Sequence, residues 1–361
     1  VKHRFFHRFR PRLPHTVPGR VALALPLMGI VAVLLYWRGP SLSGIGDAFA
    51  AVKWQWVVLA VALNLLSVLV RALAWNTVIR QAIPAPYPAP ILVFSAFSVG
   101  LFANAVLPGR IGELARVAVL TRKLPRRKGL WATLVGTVFA HRVFDVVPVL
   151  LLILYVVITA KIPAWAISIL LGIVGVGIGL FAFAFFSART QSVTRSDGIG
   201  AARRLVAMAR SGLGVMRTPL GMSIAAFFQI CGWLFQLLAV WAAMRAFDIH
   251  APLPAAGVVL LVMNVVTIFP FWPGNVGALQ VAIAAPLVSY GVAYPHGVAY
   301  GFGLQAIEAS VGIGIGLLFL AREGLSFAML QVMPSAAQAE LSDQREAPAP
   351  DVESVRAGVS G

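Results

Sequence analysis

Residues 108–114 read "PGRIGEL", and 165 positions later residues 273–279 read "PGNVGAL". Each stretch places Pro-Gly, a second glycine and a leucine inside otherwise apolar sequence, and each is followed by a further apolar run. Pro and Gly break helices, Pro because it lacks an N–H and Gly through backbone freedom. The same break, made twice, suggests two halves built to one plan.

The surroundings determine the solvent. Of 361 residues, 60% are hydrophobic and 11% are charged, against about 25% charged in soluble proteins; the mean hydropathy is +0.88. Apolar runs near residues 21–37, 57–79, 133–159, 164–187, 220–244 and 297–320 each meet the roughly 17–25 residues of a spanning helix. The fold class is therefore an all-α polytopic membrane protein. The leader at residues 1–20 is basic; the Ala48-Phe49-Ala50 site lies too far past the first apolar run for signal cleavage, so that run is expected to be an uncleaved span. Residues 323–361 lose hydrophobicity and are expected to form a disordered cytoplasmic tail. The membrane region is residues 21–322.

Net charge is +17, concentrated in short segments, which fits membrane orientation and anionic lipid; no nucleic-acid motif accompanies it. The leader places the N-terminus inside. Two further basic segments, Arg110 to Lys128 and Arg189 to Arg217, are separated by two spans and so share a side, the inside by the positive-inside rule. A full span at 91–107 would put the first of them outside. The conflict is removed if about 91–121 is a re-entrant hairpin entering from the cytoplasm and breaking at Pro108 and Gly109. By the same count about 257–290 is a second hairpin, breaking at Pro270, Pro273, Gly274 and Gly277 and entering from the other face. The expected fold is about six full spans plus two opposed hairpins, inverted-repeat-like, with both termini cytoplasmic; eight full spans are the alternative. Matched interruptions in two halves point to a midplane binding site.

Ionisable residues within apolar segments are costly and mark functional positions. Arg110, Glu113 and Arg116 are three apart and share a helix face. Arg142 and Asp145 are likewise three apart, Arg71 lies in the second apolar run and Glu308 in the last. Four arginines against three carboxylates suit an anionic group; guanidinium matches phosphate oxygens in a bidentate fork. Asn104 joins this substrate set. Backbone N–H groups freed at the break, with Gly109 and Gly112 permitting close approach, would add to a phosphate site. The bland alternatives are an intrahelical Arg142–Asp145 pair and an Arg71 that snorkels to the interface. Cys231 is packing filler. The histidines show no metal-ligand spacing, no cofactor is implied, and no catalytic motif is present.

These motifs resemble the transmembrane, flippase-like region of the lysylphosphatidylglycerol synthase family. The pattern P-x-R-x-G-E-x-x-R is met by Pro108, Arg110, Gly112, Glu113 and Arg116. In E-R-x-x-D, Arg142 and Asp145 match and His141 replaces Glu; in P-x-x-P-G-x-x-G-x-x-E, Pro270, Pro273, Gly274 and Gly277 match and Gln280 replaces Glu. The resemblance implies a translocator of an anionic phospholipid or polyprenyl-phosphate-linked glycan in the cytoplasmic membrane of a bacterium. No soluble synthase domain follows the last apolar run, so lysyl transfer is not expected. A membrane-embedded glycosyl- or aminoacyl-lipid transferase and a non-transporting envelope scaffold are the rivals. A second copy of the chain or an envelope enzyme is a candidate partner.

Overall fold

The computed structural model describes residues 42–106, 111–125, 130–161, 172, 174–179, 182, 218–268 and 275–322. The basic leader, the apolar run 21–37, most of 164–187, the basic loop 188–217 and the tail 323–361 lie outside the described residues, as do Pro108, Gly109, Arg110, Pro270, Pro273 and Gly274.

The described elements are α1 (Leu42–Ala50), α2 (Trp54–Ala82), α3 (Pro90–Val106), α4 (Gly112–Lys123), α5 (Leu130–Thr159), α6 (Pro219–Ala246), α7 (Leu253–Ile268), α8 (Ala278–Leu287) with a 3₁₀ turn (Val288–Tyr290), and α9 (Tyr294–Arg322). Proline sets several ends. It occupies the first position of α3 and α6, where its missing N–H costs nothing, and Pro84 follows the end of α2. Four helices, α2, α5, α6 and α9, are long and apolar enough to cross a membrane, and the chain is a multi-pass membrane protein. Their large apolar side chains, such as Val58, Leu65, Leu154, Ile158, Phe227 and Leu318, stand on the outer surface, as helices solvated by lipid require.

The short helices match the sequence breaks: α3 and α4 flank residue 108, and α7 and α8 flank 270–274. Helices of 12 residues (α4) and 10 residues (α8) are only about 18 and 15 Å long, too short for a hydrocarbon core of about 30 Å. One expectation needs correction. Residues 38–53 hold no apolar run of spanning length and are expected from sequence to form a loop, but Leu42–Ala50 form α1, a nine-residue helix packed on α9.

The duplication extends beyond the motif. Long, short, short, long helices begin at residues 54, 90, 112 and 130, then again at 219, 253, 278 and 294; the offsets are 165, 163, 166 and 164. The packing repeats as well. Helix α3 lies on α9 and α7 on α5; α4 touches α3 and α5 as α8 touches α7 and α9. Individual contacts exchange: Phe94 packs on Phe319, rings 5.3 Å apart, and Gly257 faces Val156 and Tyr155. The cores follow the same rule. Val311, Phe319 and Leu320 of α9 complete the first half's core, and Leu152, Ile153 and Val156 of α5 complete the second's.

Helices α2 and α6, one from each half, form the most extensive pair. They are antiparallel: Trp56 stacks edge-on against Trp241, Ser67 Oγ donates to the Gly232 carbonyl at 2.7 Å, and Gln81 lies beside Gly221. Ser67 and Gly232 are 165 residues apart and so are equivalent positions of the two halves. Small residues there let the backbones approach closely.

Candidate functional site

The first hairpin closes on small and amide side chains. Asn104 Oδ1 accepts the Gly112 N–H at 2.8 Å. A Cβ on Gly112 would collide with the Gly100 carbonyl oxygen and the Asn104 side chain, and one on Gly100 would meet the Gly112 carbonyl at 2.8 Å. This corrects the expectation that Gly112 offers bare backbone to a headgroup. Its N–H is already bonded and its missing side chain serves hairpin closure.

Helix α4 then presents Glu113 and Arg116 one turn apart. Arg116, only 4% exposed, forms a close ion pair with Glu113, and its guanidinium lies over Trp75 at 4.7 Å and Phe97 at 5.4 Å. Trp75 is fixed in turn by donating Nε1–H to Thr137 Oγ1 at 3.1 Å. Glu113 also accepts a close charge-assisted bond from Arg142 on α5. Arg142 reaches its own-helix neighbour Asp145 at 3.2 Å. Asp145 Oδ1 accepts from Trp233 Nε1 at 2.9 Å and, closer still, from Gln229 Nε2, both on α6. The result is an unbroken line, Arg116–Glu113–Arg142–Asp145, running from the hairpin through the middle of α5 to the other half. The Arg142–Asp145 pair is thus more than intrahelical neutralisation, because both members have partners on other helices.

Arg71 does not snorkel to an interface. Its guanidinium sits over Trp233 at 5.0 Å with its stem against Gly232, within electrostatic reach of Asp145, Arg142 and Glu308. Glu308, at the midpoint of α9, accepts from Gln236 Nε2 at 2.7 Å. Arg110 lies outside the described residues, so the described part of the cluster holds three arginines against three carboxylates. The Arg142 side chain is half exposed, whereas that of Arg116 is almost wholly buried. Several buried polar atoms near it have no hydrogen-bond partner, among them Arg71 Nε, Arg116 Nε, His141 Nδ1 and Gln229 Oε1. His141, at the position where the family pattern has Glu, is buried edge-on against Phe97 at 5.9 Å.

The second hairpin is neutral. Gly277, at φ +92°, is capped by Gln280, whose Oε1 accepts the Gly277 N–H at 2.6 Å. Gln280 Nε2 donates to Gln305 Oε1 at 2.5 Å. Asn275 Nδ2 donates to the Val266 carbonyl at 3.0 Å, and α7 packs on α8. Cys231 is a half-buried free thiol. Among the described residues no cluster of His, Cys, Asp and Glu could hold a metal.

Gln229, Trp233 and Gln236 were not singled out from sequence. A signal existed: they lie at i, i+4 and i+7 in α6, one face of a helix that is otherwise almost uniformly apolar.

A bundle of long apolar helices with a charged cluster near their midpoints and two pairs of short helices is the architecture of a polytopic membrane protein. The comparisons are narrower. Residues 20–331 match the model for the lysylphosphatidylglycerol synthase TM region, and the chain belongs to that family. A UPF0104 membrane protein of Methanothermobacter thermautotrophicus is 24% identical over 291 residues, 74% of this chain and 83% of that protein. A UPF0104 membrane protein of Pyrococcus horikoshii is 28% identical over 146 residues, 40% of this chain and 42% of that protein, so the match spans less than half of that relative. No solved structure matches.

Proposed function

We propose that this chain is a translocator of an anionic lipid or polyprenyl-phosphate-linked glycan in a cytoplasmic membrane, and that α3–α4 and α7–α8 are re-entrant hairpins entering from opposite faces. The observation that carries the reading is the Arg116–Glu113–Arg142–Asp145 line beside a half-exposed Arg142 deep in the bundle. Arg142 and Arg116, with Arg71 and Arg110, would hold the phosphate. Glu113 is paired with Arg116 and Arg142, and Asp145 with Arg142, so an arriving phosphate exchanges one anion for another. That exchange keeps the site from binding so tightly that release fails.

The inverted arrangement has its own support. A twofold that relates two packed antiparallel helices must lie perpendicular to them. With α2 and α6 along the membrane normal, it lies in the membrane plane, the arrangement of inverted-repeat transporters. Helices α4 and α8, too short to span, fit hairpins covered by protein, the setting in which broken backbone is tolerated at membrane depth. A transferase reading is weaker: Glu113 and Asp145 are both engaged by cations or donors, which leaves it Glu308 alone as a candidate base among the described residues of the cluster.

The test is reconstitution into phosphatidylcholine vesicles carrying fluorescent phosphatidylglycerol, phosphatidic acid or a polyprenyl phosphate, with transbilayer movement read by chemical quenching of the outer leaflet. Faster movement of at least one anionic probe, lost in Arg142→Ala, is expected. No acceleration of any probe, or a covalently altered lipid, would overturn the reading. With Cys231→Ser as background, Pro125→Cys and Val292→Cys should label from opposite faces; labelling from one face would remove the inverted hairpins.

A further inference from the structure

Among the described residues Glu308 is the one carboxylate within a long apolar helix that has no ion-pair partner within 4 Å. Glu113 and Asp145 each hold arginine, whereas Glu308 has only the Gln236 amide at 2.7 Å. Arg71 is its counterpart: an embedded guanidinium without an ion pair, stacked on Trp233 between Asp145 and Glu308, its Nε unpartnered. Arg71 and Gln236 are 165 residues apart, so the pseudo-twofold exchanges them. Helix α6 thus brings an amide into contact with the carboxylate, and α2 brings an arginine within electrostatic reach of it.

We propose that Glu308 is a proton-binding site that couples lipid movement to proton movement, with Arg71 as the charge it controls; this rests on the translocator reading above. While ionised, Glu308 attracts Arg71 across the bundle. A proton arriving from water on one side adds to a carboxylate oxygen and neutralises Glu308, whose carbonyl oxygen still accepts from Gln236. Arg71 then loses that pull and keeps only that of Asp145, so a phosphate competes for it with one carboxylate instead of two. When the proton leaves to water on the other side, the negative charge returns, Arg71 is drawn back and the phosphate is let go. Proton and lipid share one cation, which is the minimal requirement for coupling. Ionisable side chains in this setting commonly serve proton relays.

Of the helices packed on α9, α3 and α8 carry no titratable side chain, α1 contributes Asp47, α2 contributes Arg71 and Arg80, and α6 contributes Cys231 and, in its last turn, Arg245. Asp145 of α5 also acts on Arg71. On α9 itself the titratable groups are Tyr294, His296, Tyr300 and Arg322, the nearest two turns away.

The full chain is reconstituted into phosphatidylcholine vesicles with fluorescent phosphatidylglycerol, the membrane potential is clamped, and a pH gradient is imposed. One-for-one coupling shifts the steady-state leaflet ratio of the probe by about tenfold per pH unit, and Glu308→Gln should return that ratio to its gradient-free value. Probe movement that ignores the gradient, or a gradient response retained in Glu308→Gln, overturns the proton site while leaving translocation standing. If no probe moves, the proton site is judged separately by infrared difference spectra of the reconstituted protein across a pH titration. A titrating carboxylic C=O band that disappears in Glu308→Gln supports it, and a band absent from the parent or unchanged in the variant overturns it.

Discussion

Where the first hairpin meets its long helix, Glu113 holds Arg142; at the corresponding place in the second half, Gln280 holds Gln305. The offset of 166 between the short helices carries Gln280 onto Leu114, and that of 164 between the long ones carries Gln305 onto His141. Each is one residue from Glu113 and Arg142. The same backbone junction is closed by an ion pair in one half and by two amides in the other. An amide pair satisfies buried polar atoms without presenting net charge, so it fixes geometry and recruits nothing. The ion pair fixes geometry and can also be opened by a competing anion. Packing has stayed symmetric while chemistry has moved to one side.

The largest test of this contrast is removal of the charge at its centre. Arg116→Ala leaves Glu113 with one arginine fewer in a buried site, at a cost of about 3–5 kcal/mol. It should abolish translocation and lower the unfolding midpoint, read by a fluorogenic thiol dye as Cys231 becomes exposed. Glu113→Gln, which spares the shape, should retain the fold and lose most transport.

A second test makes the halves alike. Gln280 is 1% exposed, so Gln280→Glu buries an unpaired carboxylate and should destabilise by about 3 kcal/mol. Adding Gln305→Arg should recover most of that loss. Failure of the second change to rescue the first would mean that the junctions are not equivalent.

Glycine separates the hairpins more finely. Gly112→Ala drives a methyl into the Gly100 carbonyl, and backbone cannot step aside; about 2–3 kcal/mol and loss of transport are expected. Gly277 has open space around it but a positive φ, so Gly277→Ala should cost about 1–2 kcal/mol with transport largely kept. Equal effects on transport would erase the distinction between a steric hairpin and a conformational one.

The smallest effect lies at the rim. Lys53 donates to Asp248 at 2.5 Å, and that bond, with the Lys53 charge, holds the Asp248 carboxyl below the usual aspartate range. A folded-state value below the unfolded one stabilises above the unfolded pKa, and that contribution is lost as pH falls through the folded one. Asp248→Asn, which tolerates the positive φ of 57° at this position, should therefore lower the unfolding midpoint slightly at neutral pH. The difference should shrink as the pH falls below about 4 and vanish once it has passed the folded-state value.

Much of this was readable from residues alone. The Pro-Gly stretches fall between α3 and α4 and between α7 and α8, and apolar runs located all four described long helices, whose ends lie within three residues of those runs. Glu113, Arg116, Arg142 and Asp145 stood out because charge in an apolar segment is expensive. Gln229, Trp233 and Gln236 did not, because amide and indole groups are tolerated in membranes as ordinary packing; only Asp145 and Glu308, brought close by folding, give them a role. The use of Asn104 to seal Gly112 was hidden for a similar reason, since the contact depends on how the turn closes.

The Ser67–Gly232 contact joins residues that the pseudo-twofold exchanges, so it maps onto itself when the halves trade places. If one half opens while the other shuts, and the roles then reverse, every other junction must lengthen or shorten, yet this one ends as it began. On the translocator reading it would serve as the fulcrum of a seesaw: with glycine on one side and a hydroxyl on the other, the two beams could tilt about it without parting.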